Sequence, residues 1–322
     1  MKNSDLIFEL MDKHTLSLYD LMKMFPDEES ARLYLEEKLW NGQPKCPNCG
    51  HTKSQARQTR KNKSGYYLCF YCKFVYTVRT GTIFERSHVP LHKWLTTIYF
   101  ILDSRKGISS AQLSRELGIT QKSAWHLSHR VRELCANENM PLLSGTIEAD
   151  EAYFGGKERN KHFSKRLFPG SGTAGKTPVL GMRERGGNVK GIVLKDTSAN
   201  TIQDLLNANI AKNATLYTDE HKSYIGNKFD HKTVNHKARQ YVNGPVHTNS
   251  IESFWALPKR GHYGIYHNFS KKHLQRYIDE FTFRLNDGHS KYPTMDRINS
   301  LLKKSIGKRL TYNALTKPIV NN

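Results

Sequence analysis

The 322-residue sequence predicts an α/β protein whose main domain follows two smaller modules. Three observations carry that expectation. Two Cys-x-x-Cys pairs stand at residues 46–49 and 69–72. Residues 109–134 read as two helices joined at Gly118. From 144 to about 290, strand-like and helix-like runs alternate, as in a sheet covered by helices.

Composition narrows the function classes. Hydrophobic residues make up 37% and aromatic residues 11%, enough to build cores. The best apolar run, 94–102, falls far short of the roughly 20 residues a membrane span needs. The N-terminus lacks a signal-peptide pattern, so a cytoplasmic, nucleoid-associated protein is expected. The formal net charge is +21, unevenly spread: residues 1–40 hold nine acids against five basic residues. The rest is more basic than the total suggests. A polyanion is the expected partner, because phosphate neutralisation supplies most non-specific nucleic-acid affinity. No basic amphipathic helix argues for a membrane surface instead.

Taken in order, residues 1–40 form a helical segment, with Leu33, Leu35 and Leu39 placed near one face and Glu36 and Glu37 opposite. Turn residues after Trp40 open a cysteine module over 41–80. Cys46, Cys49, Cys69 and Cys72 offer two thiolate pairs to one ion, a closed tetrahedral set that suits one structural Zn2+. The basic loop residues Lys53, Arg57, Arg60, Lys61 and Lys63 fit either a DNA contact or a solvated loop. Cys135, alone on a helical stretch, reads as a small buried apolar residue.

Residues 90–140 read as a helix-turn-helix DNA-binding region. Ser109 or Ser110 caps its first helix, Gly118 suits a left-handed C-terminal cap, and Thr120 caps the second helix. Ala124, Leu127, Val131 and Leu134 form that helix's inner face. Gln121, Lys122, Ser123, His126, His129 and Arg130 are expected on its outer face, suited to a major groove. An ordinary helical hairpin is the alternative. Residues 170–177 match a phosphate-loop pattern, but no buried strand precedes them and a strand-like run follows, which argues against nucleotide binding.

The acids of "TIEADEAYFGG", residues 146–156, are the sharpest feature. Alternation puts Glu148 and Asp150 on one face of a strand and Glu151 on the other. One carboxylate does not hold catalytic magnesium, so partners must converge from other elements. Asp219 ends a second apolar run. Glu252 lies in the first turns of a helix capped at Thr248 or Asn249. Singly, each reads as a strand-end acid or a helix N-terminal acid.

In this order the blocks "ADEAYFGGK", "YTDEHKSY", "HTNSIESFW" and "HLQRYIDEFTFRLN" resemble the insertion-sequence DDE transposases that carry a zinc ribbon ahead of an ISXO-like catalytic domain. With the ribbon, the resemblance spans about three quarters of the chain. It implies an RNase H-like catalytic domain, a mixed sheet flanked by helices, at 144–290; the tail at 291–322 reads as basic from its own composition. The resemblance implies catalytic residues Asp150, Asp219 and Glu252, holding two Mg2+ or Mn2+ ions. Asn249 competes for the third place. Glu148 competes for the first or supports it. Lys259 sits where the family often has a basic residue, although Pro258 is expected to bend or stop the helix near Leu257. The implied partners are the element's terminal inverted repeats and target DNA, with a homodimer or larger assembly joining two ends. An inactive or domesticated copy acting as a sequence-specific DNA-binding regulator is the rival reading. A nuclease that only hydrolyses is a third, which has less use for end recognition.

Overall fold

The computed structural model describes residues 13–58, 64–137, 139–156, 160–166, 172–220, 222–234 and 247–317. Arg60, Lys61 and Lys63 of the ribbon loop, and part of the glycine-rich loop at 169–178, lie outside the described residues. In chain order, the elements run α1 (Leu18–Met24), α2 (Glu28–Trp40), β1 (Ser54–Arg57), β2 (Tyr66–Cys69), β3 (Val75–Tyr76), α3 (Leu91–Asp103), α4 (Ser110–Leu117), α5 (Gln121–Cys135) and β4 (Thr146–Phe154). They continue with β5 (Thr177–Glu184), β6 (Val189–Val193), α6 (Ala199–Asn209), β7 (Thr215–Asp219), β8 (Asp230–Val234), α7 (Asn249–Gly261), α8 (Leu274–Leu285), α9 (Thr294–Lys303) and α10 (Tyr312–Thr316). Two compact units result: Met1–Ser104 with Ile108–Cys135 and Asp287–Asn322, and Ala136–Asn286 with Arg105–Gly107.

In the first unit, reciprocal capping boxes start both leading helices, Ser17 with Asp20 and Asp27 with Ser30. The apolar face of α3 carries Trp94, Leu95, Ile98 and Ile101, all fully buried. Helix α9 adds Met295, Ile298, Leu301 and Leu302 and packs on α2, α3 and α5. Tyr34 of α2 donates to Asn299 of α9 at 2.6 Å. The inner face of α2 differs from the expected one. Leu33 is 54% exposed, while Ala31, Tyr34, Leu35 and Glu36 are buried. Residues two apart point nearly opposite ways on a helix. Glu36 tolerates burial because Arg32 pairs with it at 2.5 Å and Tyr67 donates to it at 2.9 Å.

The second unit is a mixed sheet in the order β6-β5-β4-β7-β8, in which only β5 runs against the others. Ile147 and Ala149 face a core completed by Ile202 and Leu206 of α6. Ala152 and Phe154, on the opposite face, pack with Ile251, Phe254 and Trp255 of α7 and Ile278 and Phe281 of α8. The sheet is thus covered on both sides. Gly181 and Gly191 pair across β5 and β6, and Gly181 also pairs with Asp150. A side chain at Gly181 would overlap Trp255 and Ile251, and one at Gly191 would overlap Ile278. These two glycines let α7 and α8 lie close on the sheet.

Thr177 opens β5 and no helix, so the phosphate-loop pattern lacks its structural context. Helix α7 does not stop near Leu257 but runs through Pro258 to Gly261, and a π-helical stretch, His262–Tyr266, follows. Pro258 forfeits a single backbone bond, and the residue is buried.

Candidate active site

Asp150 and Asp219 lie on adjacent parallel strands. The β4–β7 register ends at Glu148 opposite Tyr217, and each aspartate stands two residues further along its strand. Asp150 is half-buried. Burial, then the charge of Asp219, raises its carboxyl to about 6; Lys259 opposes the shift and Glu252 adds to it. That carboxyl is therefore within electrostatic reach of Asp219, Glu252 and Lys259. Since α7 is unbroken from 249 to 261, Glu252 and Lys259, seven residues apart, lie on one face of it.

Glu252 is exposed, and its Oε1 accepts from Thr248 Oγ1 at 3.3 Å. Thr248 is the N-cap residue but makes no side-chain cap. Asn249 is the exposed first residue of the helix. Glu148 is fully buried, and its oxygens are engaged elsewhere. Oε1 accepts from Arg185 Nε at 2.8 Å, and Oε2 accepts from the backbone N–H groups of Ser250 at 2.8 Å and Ile251 at 3.1 Å. Arg183 Nη1 donates to Ser250 O at 2.6 Å and to Ser253 Oγ at 2.8 Å.

Strand alternation turns Glu151 away from Asp150. It lies on the α6 side of the sheet, where burial raises it to about 7, opposed by the Tyr224 hydroxyl and supported by Asp150 and Asp219. Arg183, Arg185, His247 and Tyr224 are not singled out by the sequence. Their roles depend on which strands pair, which no local pattern states.

The four cysteines form a separate centre in the first unit. Their sulfurs all lie within 4.8 Å of one another, with Cys46–Cys72 at 3.6 Å and Cys49–Cys69 at 3.5 Å. Sulfurs about 2.3 Å from a zinc ion make a tetrahedron with edges of roughly 3.8 Å, so the set fits Zn2+. Left-handed residues Gly50 and Lys73 turn the chain behind each pair. The Phe74 N–H holds the Cys72 thiol down at about 6. Trp40 packs edge-on against Tyr67 and Tyr76 beside the cluster. Among the described residues, Asp150, Asp219 and Glu252 form no comparably tight group.

The helix pair is built as its caps predict. Ser109 accepts from Gln112 N, Thr120 accepts from Ser123 N, and Gly118 takes φ 59°. The outer face of α5 differs from expectation. His129 is fully buried and Arg130 is 5% exposed. Arg130 donates to the carbonyls of Ile83 and Glu85 and stacks on Trp94, and burial pulls its pKa down to about 10. The segment at 83–85 covers that end of the helix, so its cation is spent internally. Gln121 and Lys122 are exposed, and Ser123 and His126 are half-buried. His126 Nε2 lies 3.2 Å from the Leu310 carbonyl, and Lys122 sits over the Tyr312 ring.

The ISXO2-like transposase domain family matches residues 142–286, and the transposase zinc-ribbon domain family matches residues 26–74. An uncharacterized protein in the transposable element ISH50 of Halobacterium salinarum is 31% identical over 280 residues, covering 82% of this chain and 92% of that protein. A crystal structure of the Mos1 strand transfer complex shares 13% identity over 65% of this chain and 75% of that chain, with a TM-score of 0.26. A pre-cleavage Mos1 transpososome shares 14% identity over 66% and 78%, with a TM-score of 0.23. Likenesses of that size carry no weight for this chain. Among the described residues, no helix is long and apolar enough to cross a membrane.

Proposed function

The chain belongs to the ISXO2-like transposase family, and from that premise we propose that it cuts and joins DNA strands using Asp150, Asp219 and Glu252 as metal-binding carboxylates. The observation that carries this reading is the placement of Asp150 and Asp219 at one level on adjacent parallel strands, with Glu252 and Lys259 sharing a face of α7. The sheet, with only β5 reversed, is read as RNase H-like.

Three carboxylates offer the hard oxygen donors that Mg2+ or Mn2+ takes, and their mutual repulsion is what a cation relieves. Two such ions, held by Asp150, Asp219 and Glu252, would supply Lewis-acid activation of the attacking oxygen and charge stabilisation of the leaving oxygen in an in-line displacement. The chain's own residues do the rest. Asp150 and Asp219 supply a fixed pair of oxygens from neighbouring strands, and Glu252 closes the set from α7. Lys259 and Arg260, both exposed, and Lys271 beyond them offer charge to DNA phosphates. Water attacks the phosphodiester at the element's end and displaces its 3′-oxygen as a free 3′-OH; that 3′-OH then attacks a target phosphodiester and displaces the target strand's own 3′-oxygen.

In the first unit, α4 and α5 are read as a helix-turn-helix. Gln121, Lys122 and Ser123 at the start of α5 are its remaining outward candidates for base and phosphate contact, with His126 beside them. The zinc ribbon is structural. Joining two ends calls for at least a dimer.

Strand cleavage and joining on labelled element-end DNA with Mg2+ tests the reading. Products should vanish in Asp150→Ala, Asp219→Ala and Glu252→Ala and persist in Asn249→Ala. Loss in Asn249→Ala with survival in Glu252→Ala would move the third ligand. Specific binding without cleavage under any metal would favour the regulator reading.

A further inference from the structure

We propose that Glu148 is a positioning residue that fixes the helix carrying Glu252 at the level of Asp150. The proposal rests on the three-carboxylate reading above. Glu148 has no exposed surface. A buried carboxylate is tolerated only when charge and hydrogen bonds satisfy its oxygens. The partners here come from three places at once.

Helix α7 begins without a side-chain cap, because Thr248 points its hydroxyl at Glu252. Its first-turn N–H groups would otherwise be orphaned. Glu148 accepts two of them, from Ser250 and Ile251, across 102 and 103 residues of sequence. The next residue is Glu252. The other oxygen of Glu148 accepts from Arg185 Nε, and the same guanidinium donates through Nη2 to the His247 carbonyl at 3.1 Å, on the segment entering the helix. His247 Nδ1 lies 3.4 Å from Glu148 Oε1. Arg185 is itself anchored, its backbone N–H donating to Thr146 O at 3.0 Å. The capped turn is thereby tied to β4 two residues before Asp150, roughly 6.7 Å along the strand.

This arrangement demands a carboxylate. Gln would offer one carbonyl oxygen and one NH2, so either the helix amides or Arg185 would face a donor. Asp would keep the charge on a side chain one methylene shorter.

Mn2+ binding to the full-length protein, followed by the loss of the free-ion EPR signal, tests the proposal. Wild type is compared with Glu148→Gln, Asp150→Ala, Glu252→Ala and the Glu148→Gln/Glu252→Ala double variant, each checked for a cooperative melt. Glu148→Gln should weaken binding about tenfold, and the double variant should bind no more weakly than Glu252→Ala alone. If Glu148→Gln does not melt cooperatively, Glu148→Asp carries the same comparison. Wild-type binding in the Glu148 variant, with weakened binding in Glu252→Ala, would overturn the proposal alone. Losses that add in the double variant would also overturn it, since Glu148 would then act independently of Glu252. Wild-type binding in both Asp150→Ala and Glu252→Ala would overturn the three-carboxylate reading and the proposal with it.

Discussion

Asp150 and Asp219 stand at the same level on neighbouring parallel strands, each two residues beyond the last paired register of β4 and β7. Strands in a sheet lie about 4.8 Å apart, so two carboxylates at one level repel each other unless a proton or a cation intervenes.

That proximity sets a pH dependence. The Asp150 carboxyl is raised to about 6 in the folded state, against 3.8 ordinarily. Between those values the folded protein holds a proton that the unfolded chain has lost. The metal-free protein should therefore lose stability as pH rises through that window. Mn2+ affinity should rise as pH passes about 6, because the ion must displace that proton. Titrations at pH 5 and 7.5 check this, and equal affinities would contradict it.

Neutralising Asp150 should separate stability from activity. Asp150→Asn should stabilise the metal-free protein at pH 7.5 by on the order of 1–3 kcal/mol, since the raised carboxyl no longer ionises. The same variant should lose strand cleavage by on the order of 10^4-fold or more, the scale of removing one member of a working set. Urea melts and single-turnover cleavage measure the two sides.

Gly181 is a second lever on the same site. A methyl group there meets Trp255 and Ile251 of α7. Gly181→Ala should cost about 1–3 kcal/mol by overpacking and should lower cleavage by shifting the helix that bears Glu252. Denaturant melts compared with Gly156→Ala, where a methyl meets nothing within 4 Å, check it.

Removal of zinc should be local in effect. One Zn2+ per chain is expected by elemental analysis. Chelation or Cys69→Ser should change the emission of Trp40, which packs on Tyr67 and Tyr76 beside the cluster. The Mn2+ response of the second unit should persist.

Two cations of α5 should part ways. Arg130→Gln leaves the Ile83 and Glu85 carbonyls with a poorer partner and should destabilise the protein by about 1–3 kcal/mol. Lys122→Ala should leave stability within about 0.5 kcal/mol, weaken DNA binding and reduce the salt slope by about 1. Melts and binding isotherms at several salt concentrations distinguish them.

What the sequence displays is what local geometry controls. The cysteine pairs are legible because each Cys-x-x-Cys turn makes its own half of the cluster. The caps at Ser109 and Thr120 are legible because an N-cap hydroxyl bonds within three residues. The two faces of β4 follow from alternation, which separates Glu148 and Asp150 from Glu151. The pairing of Glu148 with Arg185 and the α7 amides is invisible locally, since it requires the β4–β5 register and the seat of a helix a hundred residues away. Arg130 reads as an outward cation for the same reason, as the covering carbonyls come from residues 83 and 85. The continuation of α7 through Pro258 depends on burial, which a propensity rule does not include.

The contribution of α9 to the first unit has a consequence for biosynthesis. Residues 136–286 are contiguous apart from the short 105–107 piece, so the ribosome delivers that unit in nearly one stretch. The first unit must wait for Met295, Ile298, Leu301 and Leu302 to fill a core whose other walls emerged some two hundred residues earlier. Such distant closures are slow. A nascent chain halted before residue 287 would carry a folded second unit beside an open helical core, a natural target for chaperones or proteases.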